Sequence, residues 1–131
     1  MKYLHFMIDN FYSTKFIEII NSKFKSNEHQ FIIIKKSESL SYIKPDLNEN
    51  VQFLSLPPHS NTFEAIVTFS KFLLNHYFII RKMILQSKFI FIHYLTNEIS
   101  RILYLLNRKH KFIWVVWGAD LYKNLPLKLY D

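Results

Sequence analysis

Cysteine is absent from the 131-residue chain, and glycine occurs once, at Gly118. Without cysteine there is no disulfide framework, thiol nucleophile, iron–sulfur cluster or Cys-ligated zinc. With one glycine, neither a G-x-G-x-x-G dinucleotide fingerprint nor a Walker A loop can form. Both need several glycines so that the backbone can approach phosphate closely. No H-x-x-x-H, H-E-x-x-H or G-x-S-x-G spacing occurs, so a helix-borne metal site and a serine-hydrolase elbow have no footing. No run reaches the roughly 18 apolar residues of a transmembrane helix. The start, Met1-Lys2-Tyr3-Leu4-His5, lacks the apolar segment and small-residue cleavage site of a signal peptide, and a cytosolic start is expected.

Acidic residues are also sparse. Ten Asp plus Glu stand against seventeen Lys plus Arg, a formal charge of +7. Such a balance fits a polyanionic partner, an anionic surface or a lysine-rich solvated exterior. The cations are scattered, in groups such as Lys35-Lys36, Arg81-Lys82 and Arg108-Lys109-Lys111. That scatter argues against a nucleic-acid partner. An anionic membrane surface is the sharper reading, with roughly 1 kcal/mol for each Lys or Arg near the head groups.

What the chain has in abundance is apolar material. Half of the residues are hydrophobic, which is ample for the core of one domain. Lys2 to Ile8 reads as a buried strand ending at Asp9-Asn10. Ser13 is expected to cap a helix with Phe16, Ile17, Ile20 and Phe24 on its inner face. Gln30 to Ile34 is apolar on both faces, as interior parallel strands are. Lys35 to Asn50 is polar and reads as a loop; Val51 to Leu56 is a short strand stopped by Pro57-Pro58. Phe63 to Leu85 predicts one long helix with a narrow polar stripe of Glu64, Thr68, Lys71, Asn75 and Lys82. Such a helix is either nearly buried in protein or lies in a membrane interface, and burial is the commoner case. Lys88 to His93 and Lys111 to Trp117 are further strands apolar on both faces. Between them lies a helix capped by Thr96 or Asn97, with Ile99, Ile102, Leu103 and Leu106 at helical spacing. Alternating strands and helices predict an α/β fold, a three-layer Rossmann-like sandwich around a mostly parallel sheet.

Open parallel sheets bind ligands beyond the carboxyl ends of their strands. This rule selects Asp9-Asn10, Lys35-Lys36, His93-Tyr94 and the segment Trp117 to Asp120. Asp9, His93 and Asp120 are candidate general bases, since a carboxylate or imidazole there can take a proton from a hydroxyl nucleophile. Each has a structural counterpart: a helix cap for Asp9, a core histidine bonded to backbone for His93, and a turn for Asp120. His5 lies inside the first strand, and His29, His59 and His110 fall in loops or at element ends.

Trp114-Val115-Val116-Trp117-Gly118-Ala119-Asp120-Leu121-Tyr122 resembles the W-x-x-W-G-G-D-L-Y segment of the bacterial 4-alpha-L-fucosyltransferase family, glycosyltransferase family 56. Lys2 to Asn10, Lys15 to Asn21 and Phe91 to Leu95 are similar to other parts of that family's amino-terminal region. Ala119 stands where the family usually has a second glycine, which makes a left-handed backbone there costly. The resemblance implies a GT-B architecture of two Rossmann-like domains, of which residues 1–131 are expected to be a truncated form of the N-terminal, acceptor-side half, with the donor-binding C-terminal domain absent. It implies transfer of a deoxyamino sugar such as N-acetylfucosamine from a dTDP-sugar to a lipid-linked saccharide in surface-glycan synthesis. The nucleotide sugar would be held by a donor-binding C-terminal domain, with no further cofactor or metal, and the enzyme would sit on the cytoplasmic face of the inner membrane. Asp120, His93 and Asp9 are then the candidate catalytic residues, and Trp117, Gly118, Tyr122 and Asn10 the candidate substrate contacts. The expected activity of residues 1–131 alone is nil.

Overall fold

The runs that read as strands pair into one five-stranded parallel sheet. The computed structural model describes residues 2–25, 27–36, 42–43, 49–58, 60–106 and 112–115. Its elements are β1 (Tyr3–Ile8), α1 (Phe11–Lys23), β2 (His29–Lys36), β3 (Val51–Leu56), α2 (Thr62–Gln86), β4 (Phe89–His93), α3 (Asn97–Leu106) and β5 (Phe112–Val115). The strand order is β3-β2-β1-β4-β5, that of the first five strands of a doubly wound Rossmann sheet. Tyr3 pairs with His29 on one side and Phe89 on the other, so β1 is the central strand.

Period-two alternation splits the strands between two cores. Leu4, Phe6, Ile32, Ile34, Leu54, Ile90 and Ile92 pack against α2 and α3 through Phe72, Ile80, Ile84, Ile99, Ile102 and Leu103. Met7, Phe31 and Ile33 face the other way, with Ile17 of α1 and with Ile43. Helices therefore cover both faces, which is the three-layer arrangement expected. Each fully buried Leu, Ile or Phe contributes about 1.5–3 kcal/mol by leaving water.

Local chemistry moves several boundaries. α1 begins at Phe11, because Asn10, not Ser13, is the N-cap: its side-chain oxygen accepts from Ser13 N–H at 2.7 Å. Ser13 is buried and its hydroxyl donates to the Ile8 carbonyl at 2.7 Å. β2 is longer than its apolar run, since His29 pairs with Tyr3 while Lys35 and Lys36 pair with Ser55 and Leu56. Backbone pairing thus continues through side chains that break the hydrophobic pattern. Thr96 serves α3, its hydroxyl accepting from Ile99 N–H at 3.3 Å.

α2 is one continuous helix, capped by Asn61, whose side chain accepts from Glu64 N–H at 2.9 Å. It buries Phe72, Ile80 and Ile84. Phe63, Leu74, Phe78 and Leu85, spaced by whole turns on another side, remain 63–79% exposed. The expectation of a nearly buried helix therefore holds for one face only. Among the described residues no helix is long and apolar enough to cross a membrane.

Candidate functional site

The reversal of strand order falls between β1 and β4, and their carboxyl ends form the switch point at which doubly wound sheets take ligands. A cleft of about 300 Å³ opens at this edge, walled by Ile8, Asp9, Ile34, Lys35, Leu56, Thr96 and Glu98. It combines an apolar floor with one cation, two carboxylates and a hydroxyl.

Asp9 is neither a helix cap nor bare. Its Oδ1 accepts from the backbone N–H of Tyr42 at 3.1 Å and of Ile43 at 3.3 Å. The carboxylate thereby ties a segment after β2 to the end of β1, and Ile43 is sealed into the α1-side core. Asn10 beside it is engaged as the α1 cap. Tyr94, the residue after β4, has φ 66. A left-handed backbone is uncommon for an aromatic residue and clusters at functional edges.

His93 is 1% exposed and takes part in a network that pattern reading does not reveal. His5 Nδ1 lies 3.0 Å from His93 Nε2, and His5 Nε2 lies 3.0 Å from His29 Nδ1. Three imidazoles are thus linked across β2, β1 and β4. His29 starts at the amino end of β2 and His93 ends β4, so the chain runs diagonally from one sheet edge toward the other. His5 stacks between its register partners Phe31 and Phe91, with centroids 4.8 and 4.9 Å away. Tyr3 stacks on His29 at 4.6 Å, and Phe16 of α1 lies 4.6 Å from His93.

Burial in this aromatic layer disfavours charge. It pushes His5 down to about 2, helped by the neighbouring His93 and then His29. Burial alone lowers His93 to about 4. His29 is lowered by burial against the opposing pull of Glu28. All three rings are neutral at pH 7, so each of them offers one donor and one acceptor nitrogen.

Three of the sequence candidates, Asp9, Asn10 and His93, come to the same carboxyl edge. Trp117, Gly118, Asp120 and Tyr122 lie outside the described residues, as do Ala119, His59 and His110. His5 and His29 carry more than their sequence positions suggest, and His29 stands at an element end, as the first residue of β2. One signal was available: a histidine inside a strand apolar on both faces has to be buried. Its partner could not be read without the strand order. No group of three His, Cys, Asp or Glu that could hold a metal occurs among the described residues. No protein-family model matches this chain, and no curated protein matches it.

Proposed function

We propose that this chain is the acceptor-side half of a GT-B sugar transferase, one that moves a deoxyamino sugar such as N-acetylfucosamine from a dTDP-sugar to a lipid-linked saccharide. One observation carries the reading. The Rossmann strand order gathers Asp9 and His93 at a switch-point edge, and β5 runs in sequence into Trp117-Gly118-Ala119-Asp120, the segment that resembles glycosyltransferase family 56. In the proposed reaction the acceptor hydroxyl attacks the anomeric carbon and loses its proton to a base. The bond from that carbon to the nucleotide diphosphate breaks, and the diphosphate leaves with the electron pair, inverting the centre. Asp120, His93 and Asp9 are the candidate bases, and Trp117 and Tyr122 are candidate stacking surfaces for sugar rings. The donor pocket belongs to a second domain.

A lipid-linked acceptor also fits the exterior. A groove of about 460 Å³ between α2 and α3 is walled by Ile66, Phe69, Tyr104 and Leu105, with Arg101 beside it. It could take an isoprenoid tail next to a cation for phosphate.

The test is transfer of labelled sugar from a dTDP-sugar to a polyprenyl-diphosphate saccharide by the full-length protein. Asp120→Asn should lower kcat by about 10²–10⁴-fold. Full activity in that variant would remove Asp120 from the chemistry, and no transfer by the wild type would remove the class. The exposed face of α2 supports a second reading, a non-catalytic module for anionic membrane surfaces. Vesicle binding with no sugar transfer would favour it.

A further inference from the structure

His29 Nε2 is buried, and it has no hydrogen-bond partner among the described residues. The residue as a whole is 6% exposed. An unpaired polar atom at the end of a three-ring chain calls for an explanation, and it also gives the chain a direction. The ring of His5 uses both nitrogens, so only two neutral settings satisfy both 3.0 Å contacts. In the first, every ring carries its proton on Nδ1. His29 then donates to His5, His5 donates to His93, and a lone pair is left at His29 Nε2. In the second, every ring carries its proton on Nε2 and donates the other way, which leaves an N–H at His29 Nε2. An orphaned buried N–H is the rarer and costlier of the two, so the first setting is the resting one.

We propose that His29, His5 and His93 form a proton relay through the sheet, with His29 Nε2 as its terminus at the amino end of β2 and His93 as its terminus at the carboxyl end of β4. A proton taken from water at His29 Nε2, leaving hydroxide, is matched by one released from His93 Nδ1 to a second water. Between them one proton crosses from His29 Nδ1 to His5 Nε2, and another from His5 Nδ1 to His93 Nε2. No electrons move and the chain ends neutral, in the second setting. His93 is therefore an acid in one setting and a base in the other. The groups facing the chain are the rings of Tyr3, Phe16, Phe24, Phe31 and Phe91, with Glu28 the neighbouring charge. The relay does not depend on the sugar-transfer reading.

Long-range proton–nitrogen correlation spectra of the chain at pH 7 test it. The expected result is Nδ1 protonation at all three rings, with nitrogen–nitrogen couplings across both hydrogen bonds. Nε2 protonation at His29, or absence of the couplings, would overturn the proposal. The relay itself is read from deuterium exchange of the His5 ring proton. His29→Phe, which keeps an aromatic ring in the layer, should slow that exchange on the order of tenfold. Unchanged exchange would mean a static network, and faster exchange would mean local opening; either result overturns the relay.

Discussion

Asn21 of α1 and Asn50 at the entry to β3 exchange side-chain amide hydrogen bonds at 3.3 and 2.8 Å. Asn50 also donates to the carbonyl of His29 at 3.1 Å, and its own carbonyl accepts from Phe31 N–H at 2.9 Å. One buried side chain thus joins α1, β2 and the start of β3. Asn50→Ala should cost about 1–3 kcal/mol, because the His29 carbonyl is left without this donor in a buried place. A urea titration checks this. The midpoint should fall with the slope unchanged, and an unchanged midpoint would show that water takes over the amide's role.

The histidine chain makes stability depend on pH. His5 and His93 bind protons more weakly in the folded chain, at about 2 and about 4, than the ordinary 6.5 of an unfolded histidine. Between those values the unfolded state holds more protons, so stability rises with pH. The contribution is complete above pH 6.5. It is lost on acidification, down to about pH 4 for His93 and further for His5, at no more than about 1.4 kcal/mol per pH unit for each group. Unfolding midpoints at pH 7 and pH 4.5 should differ accordingly. His5→Phe should flatten the dependence, and a flat wild-type profile would contradict the buried neutral rings.

Tyr94 is held at φ 66. Asparagine and glycine tolerate that conformation, whereas a β-branched residue does not. Thermal unfolding of Tyr94→Asn and Tyr94→Ile should differ by about 1–2 kcal/mol in favour of asparagine. Equal stabilities would mean that the backbone relaxes at this edge.

Leu74 and Phe78 are 75% and 79% exposed on the outer face of α2. Replacing both by serine should leave the unfolding midpoint within about 0.5 kcal/mol of the wild type, as at other surface sites. Sedimentation with phosphatidylserine-containing vesicles should fall by at least about tenfold, since insertion of each large side chain is worth about 1.5–3 kcal/mol. Lys71→Glu with Lys82→Glu should weaken binding to anionic vesicles only. Sedimentation indifferent to all four changes would dismiss a bilayer as the partner of this face.

Asp9→Asn preserves an acceptor for the N–H groups of Tyr42 and Ile43, but Asp9→Ala does not. The alanine variant should lose about 1–3 kcal/mol. In the full-length protein, equal turnover by the wild type and Asp9→Asn would make Asp9 a tie and not a base.

Much of the architecture is legible because three of the strands read as apolar on both faces. Phe31-Ile32-Ile33-Ile34 admits little but a buried parallel strand, and Val51–Leu56 stops where Pro57 forbids continuation. Boundaries slipped where pairing, not side-chain polarity, decides, as at His29 and Lys35-Lys36. The cap of α1 was misplaced by three residues, because Ser13 and Asn10 are both good caps and sequence does not say which one turns inward. The edge holding Asp9 and His93 followed from counting strand ends. The link between His5, His29 and His93 did not, because it depends on which strands become neighbours: His5 and His93 are 88 residues apart.

The central position of β1 also has a consequence in time. Its partners are β2, close behind it in the chain, and β4, which begins only at Phe89. Leu4 and Phe6, both fully buried in the finished sheet, are made before the other strands and wait longest for their second neighbour. Until Phe89 to His93 arrives, one flank of β1 stays unsatisfied. The slow step of folding should therefore be closure of the loop from Ile8 to Phe89, and a chain stalled before that point would be the form most prone to aggregate.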